Sequence, residues 1–217
     1  MGAMHAAVHD LDQARHQQDV FLDVLDRTMD AVRRTAEPVA LIGELASAAF
    51  GRDRGTRDID LFMRPASAPV VLDALEAAGF DVEVIDDHWL YKARLNGIDV
   101  DVIFRATRDI LFDDEMAARL REVPIYGRSL PVVAAEDLLV MKALAAGEDT
   151  ARYWYDAIAI LARADLDWDY LVMRARQHGA RRICSLLLFA TSVDVLVPRR
   201  AIDGLYELIR GGGSDVD

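Results

Sequence analysis

The sequence predicts an α/β domain extended by a helical C-terminal subdomain, and three observations support this. Between Pro38 and Gly147, short apolar runs of strand length alternate with segments of helical period. From Thr150 onward only helical patterns occur, and a long amphipathic segment without Gly or Pro precedes both regions. The expected division is an N-terminal helix at 1–37, the α/β domain at 38–148, the helical subdomain at 149–210 and a disordered tail at 211–217.

Over residues 6–36, Val20, Leu22, Val24, Leu25, Met29 and Val32 recur at roughly helical spacing. This helix must stop before Pro38, because a proline drives the residue ahead of it out of helical dihedrals. His5, His9 and His16 lie near its start without a carboxylate or cysteine at a metal-ligand spacing, so they read as exposed helix histidines. Residues 39–42 form a short buried strand, which Gly43 turns into a small-residue helix at 45–50, closed by Gly51. A strand at 59–63, a helix at 68–78 ended by Gly79, and strands at 82–85 and 89–95 follow. The pair Asn96-Gly97 is a two-residue hairpin turn, so residues 98–104 return beside 89–95. A helix near 113–120, strands at 123–126 and 130–133, and a helix at 135–146 complete the domain. The remaining helices are expected within 150–164 and at 168–177, 180–192 and 200–210.

At 217 residues and 53% hydrophobic the chain can bury a full core. No apolar run reaches the roughly 18 to 20 residues of a membrane span, and residues 1–9 lack the regions of a signal peptide. The expectation is a cytoplasmic protein without a membrane partner. Cys184, the single cysteine, cannot form an internal disulfide and reads as a small buried hydrophobe. A net charge of -12 argues against nonspecific coating of nucleic acid, an affinity that comes from Lys and Arg displacing counterions. Basic residues do cluster locally: Arg52, Arg54 and Arg57, then residues 174–182, then Arg199 with Arg200.

The most informative segment is Arg54-Gly55-Thr56-Arg57-Asp58-Ile59-Asp60-Leu61-Phe62. Aspartates at i and i+2 on a strand share a face, while Ile59 and Leu61 point the other way and can be buried. Two carboxylates on one spot repel unless cations occupy it or their pKa values shift. The strand carrying Asp99 and Asp101 repeats the arrangement, so three or four carboxylates could meet. Oxygen-rich sites of this kind suit Mg²⁺, which binds one or two carboxylates together with substrate phosphates.

The order strand, glycine turn, short helix, D-x-D and later Asp resembles the polymerase-beta-like nucleotidyltransferase superfamily. Gly43, Ala46 and Arg54-x-Thr56-x-Asp58-Ile59-Asp60-Leu61 resemble in particular the AbiEii and MenT group of toxin-antitoxin nucleotidyltransferases. That group carries a later helix with a lysine and then an aspartate, which Glu136 to Lys142, followed by Arg152 and Tyr155-Asp156, is similar to. The resemblance covers residues 39–161 and implies a mixed sheet flanked by helices.

It also implies transfer of a nucleoside monophosphate from an NTP to an acceptor hydroxyl, assisted by two Mg²⁺ or Mn²⁺ ions. The implied acceptor is the 3′ end of tRNA, with a cognate antitoxin as partner. By the same resemblance Asp58 and Asp60 coordinate both metals, and Asp101 holds the catalytic metal and helps deprotonate the acceptor; Asp99, on the same face, is the alternative third carboxylate. Gly43, Ser47, Arg54, Thr56, Lys142, Arg152 and Asp156 are the implied nucleotide-binding residues, with Lys142 also among the catalytic ones. Lys142 lies in an apolar helix and needs a partner: triphosphate oxygens, a salt bridge to Asp156, or water reached by snorkelling. Thr56 contacts phosphate or is a site where modification switches the activity off.

One residue departs from the pattern. The family places a second small residue after the turn glycine, and here stands Glu44, which would repel phosphates. Either Glu44 points away, or Ser47 and the Gly43 backbone make the contact. Two other functions fit the same residues: a transferase acting on a small molecule such as an aminoglycoside or lincosamide antibiotic, and an inert nucleotide-binding regulatory module.

Overall fold

The computed structural model describes residues 2–52 and 54–211, with side chains from residue 13 onward. The side chains of His5 and His9, and residues 212–217 of the predicted tail, lie outside the described residues, while Gly211, predicted as the start of that tail, ends the last helix; His16 is exposed as expected. In chain order the elements are α1 (Gly2–Thr35), β1 (Val39–Leu41), α2 (Gly43–Ala49), β2 (Asp58–Met63), α3 (Ala68–Ala77), β3 (Asp81–Asp86), β4 (Leu90–Leu95) and β5 (Ile98–Ile103). A 3-10 turn (Thr107–Asp109) leads to α4 (Asp114–Ala118), β6 (Arg121–Ile125), β7 (Arg128–Val132), α5 (Ala135–Ala145), α6 (Arg152–Arg163), α7 (Trp168–His178), α8 (Ala180–Ser192) and α9 (Arg199–Gly211). Each helix and strand read from the sequence is present, with ends shifted by about a turn or less. The 3-10 turn was not foreseen; Arg108 and Asp109 take positive φ there, at 61° and 57°, which no local signal announces. No helix among the described residues is long and apolar enough to cross a membrane.

The chain forms two compact units, Met1–Val39 with Thr56–Phe104, and Ala40–Gly55 with Arg105–Asp217. In the first unit the strands run β3-β4-β5-β2, with β2 parallel to β5 and the other neighbours antiparallel. Asn96 and Gly97 both take left-handed dihedrals, φ 52° and 78°, as a two-residue turn of the favoured twist requires, and this sets Leu95 opposite Ile98. One face of the sheet is apolar: Ile59, Leu61, Val100 and Val102 are fully buried. Helix α1 packs on α3 through the buried stripe Phe21, Val24, Leu25, Met29 and Val32, and both helices touch β5. Burying a Val, Leu or Ile side chain contributes about 1.5–3 kcal/mol, so this face fixes the strand register, and a slip of one residue would drive the aspartates inward.

In the second unit β1 runs parallel to β7, and β7 antiparallel to β6, across a turn in which Tyr126 and Gly127 again have positive φ, 49° and 76°. Helix α5 is its centre. Every residue from Ala135 to Leu144 is buried, because α2, α6, α7, α8 and the 3-10 turn surround the helix. Its burial includes Glu136, Asp137 and Lys142, each of which must find a partner or pay heavily for desolvation.

Candidate active site

Strand register brings the predicted carboxylates of the first unit onto one face. Asp58 stands opposite Asp99 and Asp60 opposite Asp101, while the alternating residues Ile59, Leu61, Val100 and Val102 are buried behind them. The neighbouring strand supplies cations in the same register, Lys92 opposite Asp101 and Arg94 opposite Asp99. Lys92 Nζ donates to Asp101 Oδ1 at 2.5 Å, and Arg94 donates to both oxygens of Asp99, from Nε at 2.5 Å and from its terminal nitrogen at 3.2 Å. The Arg94 hydrogen bond, against the opposing effect of desolvation, holds the Asp99 carboxyl below its ordinary range. Burial works against the Lys92 charge, but the hydrogen bond and charge of Asp101, with Asp99 and Asp58 behind it, raise its pKa above the usual lysine value.

The donor set fits a hard divalent cation: it is all oxygen, and on β2 and β5 it is all carboxylate. Asp58 is exposed, and Asp60, Asp99 and Asp101 are half-buried, so the face is open to an ion from solution. The carboxylates do not converge as tightly as a metal-bound set. Among the described residues, the group that brings three potential ligand atoms within 4.8 Å of one another is the exposed trio Asp86, Asp87 and His88. Lys92 draws Asp101 toward β4, and Arg94 draws Asp99 the same way.

The second unit carries a linked group of cations. Lys142, 5% exposed, donates to Glu44 Oε1 at 3.0 Å and to Asp156 Oδ2 at 3.4 Å, with its ammonium 4.9 Å from the centre of the Tyr153 ring. The other Asp156 oxygen accepts from Arg52 Nε at 3.2 Å and from Arg54. Asp156 is fully buried. Its burial disfavours the charge, but Lys142, Arg52 and Arg54 outweigh that and hold the carboxyl below its usual range. Arg52 and Arg54 are each about one third exposed, at 33% and 36%, and a guanidinium has five N–H donors, so both present unused donors to solvent. Arg152 lies on the surface over Tyr153, 5.1 Å from the ring centre.

These contacts also resolve the Glu44 departure. Gly43 takes φ 65°, a left-handed turn that favours glycine, and α2 starts there, which directs Glu44 to the Lys142 ammonium. Ser47 is fully buried and its hydroxyl donates to the Gly43 carbonyl at 2.7 Å. Thr56 closes a local turn at the entrance of β2, donating to the Asp58 carbonyl at 3.2 Å and accepting the Asp58 N–H at 3.1 Å.

The family described as uncharacterised nucleotidyltransferase matches residues 38–201. The chain belongs to this nucleotidyltransferase family. Among solved structures it is similar to the antibiotic-resistance factor ANT(2'')-Ia, with 15% identity over 88% of this chain and 95% of that one and a TM-score of 0.48. It is also similar to the lincosamide antibiotic adenylyltransferase LnuA in its lincomycin-bound form, with 16% identity, 64% and 96% coverage and a TM-score of 0.48. A third likeness is to an antigenic nucleotidyltransferase-like protein from Paracoccidioides brasiliensis, with 15% identity, 86% and 95% coverage and a TM-score of 0.44. No curated protein matches the chain.

For this nucleotidyltransferase, sequence reasoning missed Lys92, whose position was nonetheless encoded. A two-residue turn at Asn96-Gly97 sets Leu95 opposite Ile98, and counting back along both arms puts Lys92 opposite Asp101. Two residues of the basic 174–182 segment are committed internally. Arg174 is buried between Asp113 and Asp137, at 2.5 and 2.7 Å, and Arg182 donates to the Ala143 and Ala146 carbonyls at the end of α5, at 3.1 and 2.6 Å.

Proposed function

We propose that this nucleotidyltransferase moves a nucleoside monophosphate from an NTP to the hydroxyl of a small, cationic acceptor, using divalent ions held by Asp58, Asp60 and Asp101. The observation that carries the reading is the in-register carboxylate face of β2 and β5. When bound, Mg²⁺ or Mn²⁺ neutralises the triphosphate and stabilises the charge that develops on the transferred phosphoryl group. Asp101 is preferred over Asp99 as the third carboxylate, since Asp99 is clamped by two guanidinium donors and Asp101 by one ammonium. Asp101 accepts the proton of the acceptor hydroxyl as its oxygen bonds to the α-phosphorus, and pyrophosphate leaves with the electrons of the broken α–β bond.

Arg52, Arg54 and Arg152 are the phosphate-binding cations in this reading, because they keep donors toward solvent. Asp156 and Lys142 are positioning residues: Asp156, fully buried with both oxygens engaged, orients the two guanidiniums, and Lys142 joins it to Glu44. Gly43 sets the start of α2, and Ser47 and Thr56 hold the local turns.

The acceptor assignment rests on charge. An RNA acceptor needs several exposed cations along its backbone, and Arg174 and Arg182 are already engaged within the protein. A tRNA 3′ end, with a toxin role restrained by an antitoxin, would have to be served by Arg52, Arg54, Arg57, Arg176 and Arg181. The test is incubation with each α-labelled NTP and Mg²⁺, in parallel with total RNA and with a panel of hydroxylated cationic small molecules. Labelled small products that vanish with Asp58→Asn support the proposal. Labelled RNA in their place overturns the small acceptor, and absence of labelling in every arm overturns the transfer itself.

A further inference from the structure

Two rows of charge cross the four strands of the first unit. Glu83, Lys92, Asp101 and Asp60 stand side by side on β3, β4, β5 and β2, and Asp81, Arg94, Asp99 and Asp58 form the neighbouring row. Directly opposed residues share a face, with Cβ atoms about 5 Å apart. Lys92 therefore has a carboxylate on either side: Asp101, which it holds at 2.5 Å, and Glu83 on the edge strand. Arg94 has the same two-sided placement but is fixed to Asp99 by two hydrogen bonds, whereas Lys92 makes one to Asp101 on a long, freely rotating stem.

We propose that Lys92 is a two-position counter-ion: it neutralises Asp101 in the metal-free protein and passes to Glu83 when a divalent cation takes Asp101, so that this exchange sets the affinity of the metal site. The inference rests on the reading that Asp58, Asp60 and Asp101 receive metal. Six carboxylates and two cations make up the two rows, so the metal-free face carries an excess of negative charge that one ammonium partly relieves. A dication entering at Asp101 meets Lys92 as a competitor and, at about 4 Å, as a like charge. Glu83 removes both obstacles, because the displaced ammonium stays paired on the far side of β4.

The test is Mn²⁺ binding to the metal-free, nucleotide-free protein, read from the free-ion signal in electron paramagnetic resonance. Lys92→Met is expected to tighten Mn²⁺ binding by about tenfold, since the competitor is gone. Glu83→Gln is expected to weaken it severalfold, and to do nothing further in the Lys92→Met background, where no ammonium needs a second partner. Thermal unfolding of each variant establishes that it is folded. Mn²⁺ binding in Lys92→Met that equals or falls below the parent overturns the proposal, as does an equal effect of Glu83→Gln in both backgrounds. The control is Asp58→Asn with Asp60→Asn: if Mn²⁺ binding survives that pair, the metal reading itself fails, whatever Lys92 does.

Discussion

Arg174→Met separates a structural arginine from an RNA-binding one. Arg174 is 1% exposed; its Nε lies 2.7 Å from Asp137 Oδ1, and a terminal nitrogen lies 2.5 Å from Asp113. The Tyr170 hydroxyl donates to the other Asp137 oxygen at 2.8 Å, and Asp137 is itself fully buried. Removing the guanidinium leaves a buried carboxylate with one neutral donor, and breaking a buried pair from one side costs about 3–5 kcal/mol. For a chain of this length each kcal/mol moves the unfolding midpoint by about 2–4 °C, so the variant should melt about 6–20 °C lower. The loss should depend on pH. Burial, working against Arg174 and Tyr170, pushes Asp137 up to about 6, so its contribution to stability is greatest below about 4, where the unfolded carboxyl is also protonated, and is lost as pH rises through about 6. Without Arg174 the carboxyl is harder still to ionise. The gap between variant and parent should therefore be small at pH 5 and large at pH 8, and Asp137→Asn added to Arg174→Met should remove the pH dependence. Scanning calorimetry at the two pH values measures it. A variant that melts with the parent at pH 8, but labels RNA with a shallower salt dependence, would refute the buried-pair reasoning and return Arg174 to the surface.

Asp58→Asn or Asp60→Asn should lower transfer by about a hundredfold or more at saturating NTP and Mg²⁺, while the unfolding midpoint holds or rises as carboxylate repulsion is relieved; transfer at the parent rate in both would remove the metal reading. Lys142→Met should destabilise the second unit by about 3 kcal/mol, because Glu44 and the buried Asp156 lose their shared cation; urea unfolding checks this, and Lys142→Arg should recover most of the loss. Asp156→Asn should weaken NTP binding by loosening Arg52 and Arg54, and should have no further effect once both arginines are Met; isothermal titration of the four proteins decides it.

Elements with a strong local pattern were legible in the sequence. The i, i+3, i+4 stripe of α1, the alternation in β2 and β5 and the Asn96-Gly97 turn each state their geometry within a few residues, so the carboxylate face followed directly. The partners of the cations were not legible. Lys142 meets Glu44 across 98 positions, and Arg54 meets Asp156 across 102, distances over which no periodicity carries information. Helix α5 hid its role for a related reason: it is buried all round, so it has no polar face to mark which of its charged residues are paired. Glu44 looked misplaced while only the turn was considered, since its charge has meaning only beside Lys142.

Pairing five cations of the two clusters with internal carboxylates has a consequence for ligands. Lys92 is held by Asp101, Arg94 by Asp99, Arg52 and Arg54 by Asp156, and Lys142 by Glu44 and Asp156. A polyanion must compete with an anion already in place for each of these, and the competition is harsher at the buried Lys142 and Asp156 pairs, where the dielectric is low. On the proposed reading, a nucleotide arriving as its metal complex avoids much of it at Asp58, Asp60 and Asp101, because the complex brings divalent charge of its own. An extended RNA backbone would bring no such compensation and would be opposed by the net charge of -12, whereas the same charge would favour the small cationic acceptor proposed above. On the same reading, the carboxylates proposed to receive metal also favour a cationic acceptor.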